Sequence, residues 1–129
     1  MIAQAATKGL YDRLVTADIA AFLADAASTA ARHHLVLAAD VFVYINDLAP
    51  IFAAAARVLA PDGLFAFTVE THPGEGVKLL PTLRYAHGAS YIRGTLANAG
   101  LAVTSITAAA VRSEKGVPVD SLVVVAQPA

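Results

Sequence analysis

An α/β fold built on a mostly parallel sheet is what this chain predicts, and three observations predict it. Segments with helical spacing alternate with short apolar runs, the pattern of helices that cross over between parallel strands. Two of those runs, 35–39 and 64–69, are continuously apolar rather than alternating, as expected of strands covered on both faces. The last two runs, 103–111 and 122–126, are joined by the polar, turn-rich Ser113-Glu-Lys-Gly-Val-Pro-Val-Asp120, which predicts an antiparallel hairpin at the C-terminal end.

The elements follow in order. Residues 2–8 predict a short helix stopped by Gly9, and 12–17 a short strand ending at Asp18. Ile19, Phe22 and Leu23 stand at helical spacing in an alanine-rich stretch, so 19–31 predicts a helix. After the strand at 35–39, residues 48–60 predict a helix with Pro50 in its first turn, where a missing N–H is harmless, and Asp47 as its N-cap. Pro61-Asp62-Gly63 predicts a turn, followed by the strand at 64–69 that ends at Glu70. Residues 71–88, punctuated by Pro73, Gly74, Gly76, Pro81 and Gly88, predict a loop. The helix at 90–99 closes at Gly100, in the position past the helix end that glycine prefers. No repeat, linker or low-complexity block interrupts the 129 residues, so 1–129 is read as one domain.

Composition narrows the function classes. The chain is 57% hydrophobic and 15% charged, enough apolar surface for a packed core. Its net charge is −1, and Lys and Arg are scattered without a basic stripe, so no nucleic-acid footprint is present. With no Cys, disulfides and thiolate zinc sites are excluded. No apolar run approaches the roughly 18–20 residues of a membrane span, and the opening MIAQAATKGLYDR lacks a secretion signal's apolar centre, so a cytoplasmic protein without a membrane partner is expected.

In open α/β sheets, ligands bind beyond the carboxyl ends of the parallel strands. Three predicted strands end in an acid there: Asp18, Asp40 and Glu70. A carboxylate at that edge accepts hydrogen bonds from ligand hydroxyl or amine groups, or else caps the following helix, and the residues alone leave both open. Tyr44 and Phe42 can pack against a flat ring or a cation, or join the core. Arg84-Tyr85-Ala86-His87 places a donor, a phenol and a titratable ring on a loop that would overhang the same edge. Pro73-Gly74-Glu75-Gly76-Val77-Lys78 fails as a phosphate loop, because the third glycine is missing and Pro81 precludes a long helix after it. His33 and His34 diverge on a strand, and no His-x-x-x-His pair exists, so no metal is expected. No G-x-S-x-G turn offers a nucleophilic serine.

The stretch LVLAADVFVYINDLAPIFAAAARVLAPDGLFAFTVE, residues 35–70, resembles the fourth strand, following helix and fifth strand of the class I S-adenosylmethionine-dependent methyltransferases. Later segments, RYAHGASYIRGTLANAGL and DSLVVVAQP, are similar to bacterial members, some of which carry tetratricopeptide repeats. The resemblance covers about residues 2–127 and implies a Rossmann-like sheet with S-adenosyl-L-methionine as cofactor. It implies that 10–18 is the family's third strand, with Asp18 near the adenine amino group and Ile19 against the adenine ring. Ala39, Asp40 and Val41 would line the cofactor's methionine end and the substrate entrance. Asp40, Tyr85 and His87 are the catalytic candidates.

The departure from the family is as informative. Its members begin with a strand, a glycine-rich G-x-G turn and a helix, then a second strand whose acid holds the ribose. Those parts have no counterpart here, so the resemblance is to the C-terminal portion, lacking the first two strands. In the family's strand order 3-2-1-4-5-7-6, this leaves the strand at 35–39 as an open edge, an association hazard. The expectation is that the edge is covered by the strand at 10–18, by a second copy in a homodimer, or by a missing N-terminal half. Three functions follow. One is methyl transfer to an unknown acceptor, with the isolated chain holding cofactor weakly or not at all. Another is a non-catalytic dimerisation or partner-binding module derived from a truncated fold. The third is part of a nucleotide-dependent dehydrogenase, which the C-terminal antiparallel hairpin counts against.

Overall fold

A computed structural model describes residues 18–27, 32–110 and 112–129. The expected helix at 2–8, the strand at 12–17 and the end of the helix at 28–31 lie outside the described residues. The elements are α1 (Ile19–Ala27), β1 (His33–Ala38), a 3₁₀ turn η1 (Phe42–Tyr44), α2 (Ala49–Val58), β2 (Leu59–Glu70), β3 (Val77–Leu79), β4 (Tyr85–His87), α3 (Ala89–Asn98), β5 (Leu101–Ala109), β6 (Ser113–Glu114), β7 (Val117–Pro118) and β8 (Ser121–Pro128).

The α/β class, the parallel strand pair and the C-terminal antiparallel hairpin are all present. β1 runs parallel to β2 with Leu35 opposite Leu64, Val36 opposite Phe65 and Ala38 opposite Phe67. β8 lies antiparallel on the other side of β2, and β5 pairs antiparallel with β8. The strand order β1-β2-β8-β5 therefore reproduces the 4-5-7-6 half of the order expected from the resemblance. The small hairpin β6–β7 decorates the β5–β8 connection.

One face of this sheet carries the core. Alternation along β2 sends Phe65, Phe67 and Val69 to that side, each 1% exposed, opposite Ala126, Val124 and Leu122 of β8. Four phenylalanines meet there: Phe42 from η1, Phe52 from α2, and Phe65 and Phe67, with ring centroids from 4.8 to 6.2 Å apart. Ile51 and Ala55 of α2 and Ile92 and Leu96 of α3 close the layer, with Ile19 and Leu23 of α1 packed at its margin. Phe42 thus belongs to the core, not to a ligand surface.

The opposite face departs from the sequence expectation. The strand at 35–39 was read as buried on both sides, but Leu35 and Leu37 are 57% and 67% exposed, and Leu64 beside them is 39% exposed. Val36 and Ala38, on the core side, are half-buried. The continuous apolar run is real, yet the described helices all pack on one side, so the second covering layer that a parallel pair ordinarily has is missing among the described residues.

Other differences are local. The loop read at 71–88 contains the antiparallel pair β3–β4, with β4 joined parallel to the end of β2 at Glu70 and Ala86. The N-cap position of α2 is Leu48 rather than Asp47, but Asp47 Oδ1 still accepts the Ala49 N–H at 3.0 Å, as a capping carboxylate does. The helix at 90–99 is α3 over Ala89–Asn98, and Gly100 follows with a φ of 80°, the left-handed conformation expected of it. The last long strands begin at Leu101 and Ser121, one to two residues before the predicted starts.

Candidate functional site

The carboxyl ends of β1 and β2 meet the β3–β4 hairpin and the segment before β6, and four elements bring charge to one place. By alternation, Glu70 at the end of β2 faces the side opposite the phenylalanines, yet it is only 2% exposed. Two arginines cover it. Arg84 Nε and Arg112 Nε both donate to Glu70 Oε2, the second at 3.0 Å. Arg84 Nη2 donates to Asp40 Oδ1, and Arg84 Nη1 to the Tyr44 hydroxyl at 2.9 Å. Its guanidinium carbon also stands 5.1 Å from the centre of the Tyr44 ring. Arg112 Nη1 donates to Glu114 at 2.7 Å and completes the chain Asp40–Arg84–Glu70–Arg112–Glu114.

Backbone geometry serves this cluster. Asp40, the residue two past β1, has a φ of 55°, and Leu83, just before Arg84, a φ of 64°. Both lie in the left-handed region that non-glycine residues seldom adopt, and such strain gathers where a fold aims particular side chains. The Asp40 N–H is tied to Thr68 Oγ1 of β2 at 2.8 Å, so β1's exit is fixed from below and, through Arg84, from above.

Electrostatics follow from these contacts. Burial works against the Arg84 charge, but the Glu70 hydrogen bond and the charges of Glu70 and Asp40 outweigh it and raise its pKa. Hydrogen bonding by Arg112, then its charge, holds the Glu114 carboxyl below the ordinary carboxylate range. Three buried polar atoms have no partner among the described residues: Glu70 Oε1, Arg112 Nη2 and His87 Nδ1.

The structure separates the sequence candidates. Asp40 is exposed, with one carboxylate oxygen engaged by Arg84 and no partner for the other among the described residues. Ala39 is exposed and Val41 half-buried beside it. Asp18 is exposed and its Oδ2 accepts the Ala21 N–H at 3.2 Å, which caps α1; Ile19 is half-buried against the core margin. Tyr85 is half-buried on β4. His87 is fully buried: Nε2 donates to the carbonyls of Ile45 and Asn46 at 2.9 and 3.2 Å, and the ring lies 5.7 Å from that of Tyr91. Desolvation lowers its pKa, with the nearby His72 adding to the effect. In this conformation His87 pins the segment after η1 to β4 and does not reach a ligand. Arg84, Arg112 and Glu114 were missed as a set, since the arginines' contacts with Glu70 and Asp40 span 14 to 44 residues and leave no local pattern.

A second feature occupies the same edge, on the α3 side. An open cleft of about 730 Å³ is lined by Thr71, His72, Glu75, Ser90 and Asp120, among others. None of the sequence candidates lines it. His72 is committed within its own loop, accepting the Gly74 N–H at Nδ1 and donating from Nε2 to the Gly76 carbonyl. Among the described residues no group of three His, Cys, Asp or Glu side chains converges as a metal site, and no helix is long and apolar enough to cross a membrane.

No protein-family model matches the chain, and no curated protein matches it by sequence. Solved structures do match. An S-adenosylmethionine-dependent methyltransferase from Clostridium acetobutylicum superposes with a TM-score of 0.68 at 14% identity, over 98% of this chain and 68% of that one. The fold is that of the S-adenosylmethionine-dependent methyltransferases. The magnesium protoporphyrin IX methyltransferase ChlM from Synechocystis, solved with S-adenosylhomocysteine, matches all of this chain with a TM-score of 0.65 at 16% identity. The glycopeptide N-methyltransferase MtfA, solved with S-adenosylmethionine, matches 88% of it with a TM-score of 0.63 at 15% identity. The chain spans 68%, 60% and 59% of the lengths of these three methyltransferases. The methyltransferase fold is therefore present in part, and its Rossmann-like strand order agrees with the reading of residues 35–70.

Proposed function

We propose that this chain is the C-terminal, acceptor-side portion of an S-adenosylmethionine-dependent methyltransferase. The observation that carries the reading is the superposition of its β1-β2-β8-β5 sheet on methyltransferases solved with that cofactor or its product, together with an exposed acid at the tip of β1. When bound, S-adenosylmethionine supplies a methyl group already activated on a sulfonium, so the protein's task is alignment. The residues present fit part of it. Asp18 and Ile19 offer an acceptor and an apolar edge for an adenine, while Ala39, Asp40 and Val41 form the turn at the methionine end. The glycine-rich turn that would grip the rest has no counterpart in the sequence, so the chain on its own holds cofactor weakly or not at all.

Asp40 would accept a hydrogen bond from the methyl acceptor and orient it. The genomic DNA around the coding frame tests the reading: an in-frame segment encoding strand, G-x-G turn and helix is expected, and a frame that excludes one overturns it. Calorimetric titration with S-adenosylhomocysteine tests the cofactor clause, since micromolar binding by this chain would refute it.

One observation favours a second reading, a non-catalytic dimerisation module. The open face bearing Leu35, Leu37 and Leu64 continues through the half-buried Val123 and Val125 of β8, with the charged cluster on Glu70 at its carboxyl-end edge. An apolar face of this kind complements itself, which suits a second copy of this chain. A tight dimer without affinity for S-adenosylhomocysteine is the expected result for that reading.

A further inference from the structure

The β6–β7 hairpin stands apart from the rest of the fold. Its strands pair with each other in a two-stranded sheet of their own, and no ladder among the described residues joins them to the six-stranded sheet. Lys115 and Gly116, with φ of 51° and 78°, supply the two left-handed residues of a tight hairpin turn, so the arm keeps its shape by itself. The Val119 N–H donates to the Arg112 carbonyl at 3.1 Å and closes its base. The ion pair that fastens the arm to the body runs from Arg112 Nε to Glu70 Oε2 at 3.0 Å.

Opening this clasp strands no charge. Glu70 keeps Arg84, and Arg112 keeps Glu114, which travels on the arm with it and accepts from Arg112 Nη1 at 2.7 Å. Breaking a buried pair is costly when one charge is left alone, whereas this network divides between Glu70 and Arg112 into two halves that each stay paired. The clasp is also half-made. An arginine and a carboxylate can join through two parallel hydrogen bonds, yet Glu70 Oε1 and Arg112 Nη2 are both buried without a partner among the described residues. Water reaches both when the arm lifts, so opening restores hydrogen bonds that the closed form lacks. Charge attraction works the other way. The arm carries Arg112, Lys115 and Glu114, two cations and one acid, net +1, and the body at the clasp carries Glu70, Asp40 and Arg84, two acids and one cation, net −1. Asp120, at the arm's foot, stays with the body, its carbonyl held by the Thr71 N–H at 2.9 Å.

The arm crosses the carboxyl edge of the sheet. Glu70 faces away from the phenylalanines, while Ala110 and Asp120, which flank the arm in sequence, line the cleft of about 730 Å³ on the α3 side. We infer that residues 112–119 form a strap, clasped to Glu70 by Arg112 and poised to lift, and that lifting it widens the mouth of that cleft. Closure is electrostatic: the strap's net positive charge is drawn to the net negative charge at the strand tips, and Glu114 accompanies Arg112 as its counter-charge. The inference goes beyond the methyl-transfer reading and does not rest on it.

A single thiol reports the lifting, because the chain contains no cysteine. Ser121 is 1% exposed, lies directly opposite Glu70 in the β2–β8 ladder and so shares its face, and its hydroxyl donates to the Val119 carbonyl of the strap at 3.1 Å. In Ser121→Cys, the rate of reaction with an uncharged disulfide reagent measures the lifted fraction. Raising salt from about 0.05 M to about 1 M should speed it roughly two- to fivefold, the range a screened ion pair supplies. Arg112→Met in the same background should speed it about tenfold, the effect of one hydrogen bond between charged groups. Two single charge removals should act in opposite directions. Lys115→Gln takes the strap from +1 to 0 and speeds the reaction, whereas Glu114→Gln takes it from +1 to +2 and slows it. A cluster with a purely structural role would be loosened by both. Low urea should leave the rate nearly unchanged, since lifting exposes little surface. A faster reaction in Glu114→Gln, a thiol that is unreactive or indifferent to both salt and Arg112→Met, or a rate that climbs with urea as global unfolding does would each overturn the proposal.

Discussion

Arg84 joins side chains 14, 40 and 44 residues away in the sequence, and removing it exposes how much the strand tips depend on it. Breaking a buried ion pair by deleting one partner leaves the other charge uncompensated, which costs more than the intact pair contributes. Glu70 is 2% exposed and would keep only Arg112. Arg84→Met is therefore expected to destabilise the fold by roughly 3 kcal/mol, read as a lowered urea midpoint at neutral pH. Exposed Arg57 provides the comparison, and Arg57→Met should change the midpoint by less than about 0.5 kcal/mol. His87 gives a second residue-scale prediction. Burial lowers its folded pKa below the ordinary value near 6.5, so the unfolded chain binds the proton more readily. The stability due to the neutral buried ring is complete above about pH 6.5 and declines as pH falls below it, toward the folded pKa. Urea melts at pH 7.5 and 5.5 should show that decline in the natural chain and a smaller one in His87→Gln. A wild-type stability that rises on acidification through this range would reverse the sign and refute the account.

At the scale of elements, the sequence was legible where the signal is periodic and silent where it is relational. The helices at 49–58 and 89–98 announced themselves through Pro50 in a first turn and Gly100 past a last one, and both devices are in place. The parallel pair and the C-terminal hairpin were legible from continuous apolar runs and a polar turn. The three-residue strands β3 and β4 were not, because so short a segment has no period and Pro81 and Gly88 read as loop punctuation. Asp40 was found as a strand-end acid, but its tether to Arg84 and the burial of His87 were not, since both depend on how distant segments pack. The phenylalanine cluster gives the element-scale prediction. Phe67 touches Phe42, Phe52 and Phe65 and is 1% exposed, so Phe67→Ala should cost about 3–5 kcal/mol. Gly63 adds a backbone constraint at the start of the same strand: a Cβ there would stand 2.8 Å from the His33 carbonyl oxygen and 3.0 Å from that of Ala60. Gly63→Ala should therefore loosen the β1–β2 register at His33, which faster amide exchange along β1 would report.

At the scale of the molecule, the open face decides what the chain can be on its own. Its sheet has helices on one side only among the described residues, whereas parallel strands normally have both faces covered. The sequence could not disclose this, because the apolar run at 35–39 is the same whether the covering layer is present or not. Leu35 and Leu37 belong to β1, which among the described residues stands at the end of the 4-5-7-6 order, and their exposure adds an apolar face to that edge. Association through this face should be hydrophobic in character. It should survive raised salt, and it should weaken sharply when one charge is placed in the stripe, because two copies would then oppose like charges in an apolar contact. Leu37→Lys is the sharper choice than a change at Leu64, since Leu37 is the more exposed and its replacement disturbs the folded chain least. Sedimentation equilibrium of the natural chain and of Leu37→Lys, at low and high salt, is expected to show a dimer in the first at both salts and a monomer in the second. A natural chain that sediments as a monomer at high concentration would refute the self-association reading. A dimer unaffected by the charge would place the contact elsewhere on the surface.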